Sequence, residues 1–237
     1  MKRYPAFVVL LAMTVALHAA PRTPVPASIV LTHSVHRNGL HVATVNERFE
    51  SGEGRYRIVS ESTPVGLAAL IQPRSAVLTS AGRITDAGLQ PERFEGARGA
   101  NDPRRVSAEF DWGAARLELA HDGKNDTLKL PMGTQDRLSI MYQFMFYGYG
   151  ARSELAFPMT NGRKLDHYRY AVSRDVEIDT PLGRMTTIHL VKQRESGDSE
   201  TEIWLAPEHR HLPVKMLIVE SDGVRYEQTL THIEVQP

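Results

Sequence analysis

Three dipeptides constrain this chain more than anything else in it: Asn38-Gly39, Asp122-Gly123 and Asp222-Gly223. Each lies between stretches in which apolar and polar residues alternate. A two-residue type I′ turn needs positive φ at both central positions, and Asn-Gly or Asp-Gly meets that demand at the lowest steric cost. Each dipeptide therefore predicts a β-hairpin. Hairpins join antiparallel neighbours, and these three are spread from the start of the chain to its end.

The strands flanking these turns follow from the same alternation. They are expected over 28–37, 40–50, 55–63, 75–85, 89–97, 105–111, 117–121, 124–130, 155–160, 165–179, 183–195, 200–206, 212–221 and 224–235. A two-residue loop at Asn38-Gly39 pairs Arg37 with Leu40, His36 with His41 and Val35 with Val42. Ile29, Leu31, His33 and Val35 then share one face. The loop at Asp222-Gly223 sets Glu220 opposite Arg225 as a cross-strand ion pair. Asp86-Ala87-Gly88 and 179–183 read as further turns, Pro64–Ile71 as a short apolar connection, and 98–103 and 196–199 as loops. Open sheets rarely grow beyond about ten strands without curling. The predicted fold is mainly β: a curled antiparallel sheet, a half-barrel or open barrel, with one central apolar helix near residues 136–147.

That helix interrupts the β texture. The run from Asp136 to Tyr147 contains no breaker. Thr134 or Asp136 can cap its start and Gly148 can close its end. Leu138, Ile140, Met141, Phe144, Met145 and Phe146 do not fit one narrow stripe, and a helix apolar on most sides is a buried one.

Residues 1–20 have the layout of a secretory signal peptide: Lys2 and Arg3, an apolar run from Ala6 to Leu17, then Ala19-Ala20. The run falls short of the roughly 20 apolar residues of a membrane span, so cleavage and a periplasmic location are expected. Residues 21–27 form a Pro-rich spacer, and 28–237 a single β domain. The chain has no cysteine, which excludes disulfides and a lipidated N-terminal cysteine. Without residues 1–20 it carries 26 Lys/Arg against 28 Asp/Glu. That balance argues against nucleic acid as a partner, since binding it depends on clustered cations. The strands lack the lipid-facing apolar band of a transmembrane barrel.

No catalytic motif stands out, and no cofactor is implied. Ser139 lacks the Gly-x-Ser-x-Gly setting of a hydrolase. Asp175, Glu177 and Asp179 read as a solvated face. His209 and His211 fall in a Pro-flanked turn without the two-His spacing of a zinc protease. His36 and His41, side by side on the first hairpin, are the best metal candidates, though a structural zinc site wants four ligands. The helix is the least ordinary feature. Met141, Phe144 and Met145 offer adaptable apolar surface of the kind that accepts lipids. With Trp204 they form the candidate ligand-contact set, weighed against simple core filling.

The order of several short motifs resembles a known family. The series runs from Val35-x-x-Asn-Gly through Gly88-Leu-x-Pro-x-x-Phe94, Phe110-Asp111 and Asp136-x-x-Ser139. It continues through Ile178-Asp-Thr-Pro-x-Gly183 and Ile203-Trp-Leu-Ala-Pro207 to Leu212-Pro-Val-Lys215. In this order it is similar to the bacterial domain-of-unknown-function family 3108 (DUF3108). The resemblance spans nearly the whole mature chain and implies an envelope-targeted, predominantly β protein with no assigned catalytic residues. The curled sheet with its apolar helix also resembles, more loosely, periplasmic lipoprotein-carrier half-barrels. The expected function is non-enzymatic binding of a lipid or other amphiphile in the cell envelope. The alternatives are an envelope assembly protein acting through a protein partner, and a hydrolase of envelope glycan or peptide.

Overall fold

The computed structural model describes residues 24–99, 102–193 and 198–237. The expected signal peptide, the first residues of the spacer and part of the 196–199 loop lie outside the described residues.

Strands β1 (Ser28–Arg37), β2 (Leu40–Gly52), β3 (Arg55–Pro64), β4 (Ala76–Thr85), β5 (Gly88–Ala97), β6 (Val106–Asp111), β7 (Arg116–His121) and β8 (Lys124–Lys129) form one meander. The strands β10 (Glu154–Thr160), β11 (Leu165–Thr180), β12 (Gly183–Lys192), β13 (Glu200–Ala206), β14 (Leu212–Val219) and β15 (Arg225–Gln236) form a second. The two share a single ladder between β1 and β15, from Ser28↔Gln236 to Arg37↔Tyr226. A two-residue strand, β9 (Gln135–Asp136), adds to the far edge, parallel to β10. The product is one fifteen-stranded sheet that does not close on itself.

The turn chemistry explains most of this. Asn38 and Gly39 have φ of 49° and 82°, and Asp122 and Gly123 have 50° and 72°, as type I′ loops require. Two registers differ from expectation. A bulge after Val35 sets it opposite Ala43 rather than Val42, while Arg37↔Leu40 and His36↔His41 hold. At the last hairpin Val219, not Glu220, faces Arg225. The Glu220 N–H donates to the Val224 carbonyl and Gly223 N–H to the Glu220 carbonyl, each at 2.9 Å, so the loop has three residues. Gly223 (φ 85°) serves as its left-handed third residue, which slips the register by one and removes the proposed ion pair. The Pro64–Ile71 connection becomes a short helix, α1 (Gly66–Ile71), with Leu67, Leu70 and Ile71 exposed.

The central helix is present but shorter than 136–147. It comprises α2 (Ser139–Gln143) and a 3-10 turn, Phe144–Phe146. Pairing with β10 keeps Gln135 and Asp136 extended. The fully buried Asp136 carboxylate then caps the helix: Leu138 and Ser139 N–H both donate to Oδ1 at 2.8 Å. Tyr147 turns extended (ψ 134°) and ends the helix before Gly148, which does not act as its C-cap.

The helix is anchored across the concave face of the sheet. Ser80 of β4 donates to Asp136 Oδ2 at 2.6 Å, and Tyr56 of β3 hydrogen-bonds Ser80 at 3.1 Å. Gln143 accepts from Leu89 N–H at 2.7 Å and donates to Ala87 O at 2.8 Å, while Gln135 donates to Leu89 O. The free β9 edge is thus fastened to β4 and β5 by side chains, where no ladder runs. Two apolar clusters flank the helix. Leu138 and Tyr142 enter one, with Phe49, Ile58 and Phe94; Ile140 and Phe144 enter the other, with Phe157, Tyr170 and Leu190. A helix serving two cores must be apolar on both sides, which is why its sequence lacks a narrow stripe.

Burial raises the Asp136 pKa, against the opposing pull of its hydrogen bonds. The native chain therefore keeps this proton at pH values where the unfolded chain has released it. The group's stabilising contribution is complete below about pH 4 and is lost as pH rises through the raised native value. We expect Asp136→Asn, which cannot ionise, to gain in Tm relative to wild type as pH rises from about 4 towards 7. Thermal melts across pH 3–8 measure this, and a constant gap would refute it. Asp136→Ala leaves two buried N–H groups unpaired and should cost about 2–4 kcal/mol in urea unfolding. Gly88 has φ +101°, and a Cβ there would lie 2.4 Å from Gln143 Oε1 and 2.8 Å from Phe146 Cγ. Gly88→Ala should accordingly cost about 2 kcal/mol or more in the same assay.

Candidate functional site

The anchored helix does not fill the space that the sheet encloses. A cleft of about 1410 Å³ remains beside it. This exceeds the roughly 300–1,000 Å³ of ordinary small-molecule sites. One wall is apolar: Ile140, Met141 and Phe144 from the helix segment, Phe157 and Met159 from β10, and Ile203, Met216 and Ile218 from β13 and β14. The opposite wall is supplied by the inward faces of β1 to β5, including Leu31, Val35, Val45 and Leu78.

A buried polar cluster lies on that second wall. Glu47 is 8% exposed; Ser60 donates to its Oε1 at 3.0 Å and Tyr142 to its Oε2 at 3.1 Å. His33 stands nearby at 3% exposure, and its Nδ1 has no hydrogen-bond partner among the described residues. Burial lowers the His33 pKa, with Glu47 and the Pro213 backbone pulling the other way, so the imidazole is neutral at pH 7. Tyr142 is pushed well above the usual tyrosine value, by burial first and then by Glu47, and stays a proton donor.

Charge enriches the lining in cations. Arg98, Arg104, Arg137, Arg163, Lys164, Arg169, Lys192 and Lys215 face five acids: Glu47, Asp102, Asp166, Asp198 and Glu220. Several of these cations are paired. Lys164 meets Asp166 at 2.7 Å and Lys192 meets Asp198 at 3.0 Å, while Arg163 pairs with Asp122. Arg137 differs. Its backbone N–H donates to Thr160 O at 2.9 Å, which fixes it at the foot of the helix. Solvent inside the cleft reaches its side chain, but protein surrounds it on the other sides, and that burial lowers its pKa against the opposing effects of Tyr168 and Asp136. Its guanidinium makes no ion pair or hydrogen bond among the described residues.

The sequence-predicted contact residues divide between two places. Met141 and Phe144 line the cleft, Met141 half-buried between both apolar clusters and Phe144 edge-on to Phe157 at 6.2 Å. Met145 packs against the first cluster, outside the lining. Trp204 also lies outside it, stacked on His189 at 4.5 Å with Lys215 over its ring. His36 and His41 do stack, at 5.1 Å. No group of three potential metal ligands forms among the described residues. Arg137, Glu47 and His33 were missed as site residues, though signals existed. Glu47 sits in phase with Val45 and Phe49, where alternation points inward, and Arg137 is the last charge before a long uncharged run. A second hollow, of about 680 Å³, lies beside Trp112 and is lined largely by paired charges such as Arg83 with Glu92. No helix among the described residues is long and apolar enough to cross a membrane.

Comparison with solved structures gives the same architecture. A beta-barrel-like protein of the DUF1849 domain from Brucella abortus superposes with a TM-score of 0.50 at 10% identity, covering 90% of this chain and 98% of that one. At that identity the likeness concerns the fold alone. A protein assigned as a lipoprotein from Parabacteroides distasonis gives a TM-score of 0.35 at 7% identity, covering 89% and 96%. A domain assigned as part of an outer membrane lipoprotein-sorting protein from Vibrio parahaemolyticus gives 0.27 at 8%, covering 89% and 86%. Superpositions as loose as these last two do not define a shared architecture. No curated protein matches the chain. The family model for the protein of unknown function DUF3108 matches residues 32–231, nearly the whole of the sheet, and the chain belongs to that family.

Proposed function

We propose that this protein is a non-enzymatic binding protein of the cell envelope that holds an amphiphile in the cleft of its curled sheet. One observation carries the reading. The apolar helix lies inside the sheet, yet a cleft of about 1410 Å³ remains along it with Met141 and Phe144 on its wall. A helix serving only to fill the core would close that space, because protein interiors pack to crystal-like density. A concave surface with an apolar wall and a few placed polar groups is the usual form of a ligand site. The pair of methionines on the facing strands, Met159 and Met216, adds side chains that adapt to chains of differing shape.

The envelope assignment rests on the sequence. A basic start, a short apolar run and Ala19-Ala20 support export, and a chain without cysteine suits a folded state held by packing alone. On this reading the mature protein is periplasmic, its domain begins near residue 28, and Met141 and Phe144 touch the bound chain.

Native mass spectrometry of the protein purified gently from its own periplasm tests this directly. The expected result is a stoichiometric amphiphile, released on denaturation. The neutral probe N-phenyl-1-naphthylamine should bind the emptied protein saturably. Met141→Gln should weaken that binding about five- to tenfold, as loss of one apolar contact of about 1 kcal/mol predicts. Empty protein at its mature mass, together with no saturable probe binding, would overturn the reading.

A further inference from the structure

The cleft lining includes an arginine, Arg137, whose guanidinium has no ion pair or hydrogen bond among the described residues. Two lysines of the lining have partners: Lys164 with Asp166 at 2.7 Å and Lys192 with Asp198 at 3.0 Å. Arg137 has none among the described residues; it is exposed to the cleft, one residue before the buried Leu138 and two before the helix. The neighbouring carboxylate is already committed. Asp136 Oδ1 takes two backbone N–H groups and Oδ2 takes the Ser80 hydroxyl, so both oxygens already have hydrogen-bond donors.

Arginine retains its charge in such a setting, and Arg137 is exposed to the cleft. With no ion pair or hydrogen bond among the described residues, its guanidinium is open to an anion brought into the cleft. The guanidinium offers a planar fork of donors suited to two oxygens of one carboxylate or phosphate. The surface next to it is not suited to a small, fully hydrated anion. Met141, Phe157 and Met159 line the same cleft and continue the apolar wall away from Arg137.

We propose that the ligand of this cleft is an acidic amphiphile, whose carboxylate or phosphate head is held by Arg137 and whose chain lies along the Met141–Phe157–Met159 wall. This rests on the amphiphile-binding reading and narrows it to a charge class. Arg137 is the residue that sets head-group specificity, and the apolar wall sets affinity for the chain.

The test uses 11-(dansylamino)undecanoic acid and its methyl ester, which differ only in the head. The wild-type protein should bind the acid about tenfold or more tightly than the ester, as a charge-assisted hydrogen bond predicts. Arg137→Gln should bring the acid to the level of the ester and leave the ester's own affinity unchanged, so that ester binding reports that the variant is folded. Dodecanoate should displace the acid and acetate should not. Equal affinities of wild type for acid and ester, or an acid affinity untouched in Arg137→Gln, would overturn the charge assignment while the amphiphile reading stands. Acetate competing as well as dodecanoate would mean that a small anion occupies Arg137, and would overturn it too. Failure of wild type to bind either probe would remove both readings together.

Discussion

The interior of this protein depends on a carboxyl group that water does not reach. Asp136 ends the short β9 strand, caps the helix that follows and takes a hydroxyl from β4. Those three roles belong to one side chain because the chain must change direction sharply inside the sheet, where every backbone N–H needs a partner. The Gln143 and Gln135 amides then hold the other end of the segment to β5. Without this fastening the sheet would retain its ladders but lose the object around which it curls. Both apolar clusters are organised about the same helix, so the anchor also sets how the two halves of the core meet.

A curled sheet with a fixed internal helix has a particular consequence for shape. The radius of curl is set by the strands, and the helix is held against one wall by polar contacts at set positions. It cannot shift to fill the remaining volume, and the cleft persists as a by-product of the anchor. The arrangement divides the lining by chemistry. Strands of the second meander bring methionines and aromatics, strands of the first bring His33, Glu47 and Ser60, and the connecting loops bring paired charges. Arg137 stands where the helix segment meets the second meander, with Thr160 of β10 holding its backbone.

Much of the architecture was legible in the sequence because hairpins are local. Asn38-Gly39 and Asp122-Gly123 specify their turns within four residues, and the pairs next to each turn follow directly. Where a bulge intervenes, after Val35, or where a Gly in the left-handed region makes a three-residue loop, at Gly223, the alternation alone gives a register wrong by one. The helix was visible as an uninterrupted apolar run, but its true length depends on β9 pairing with β10, a contact that no local rule reports. The cleft was less legible still. Its residues come from strands far apart in the chain, and Glu47 looks like any other acid until its phase with Val45 and Phe49 is taken seriously. Whether an inward polar residue lines a space or fills a core is decided by packing between distant elements, which sequence periodicity does not carry.

The two meanders share a ladder only where β1 lies beside β15. The first strand made is thus the neighbour of the last, in the middle of the finished sheet. A chain emerging from its N-terminus presents β1 with one edge unsatisfied for as long as the rest is being delivered, and β14 joins it with a bare edge of its own. Both edges stay open until the final twelve-residue strand arrives to bridge them. Unpaired edges template association with other chains, and pairing so distant in sequence is slow to form. A chain folded without β15 is therefore exposed to aggregation along both edges, and loss of that strand would divide the sheet in two.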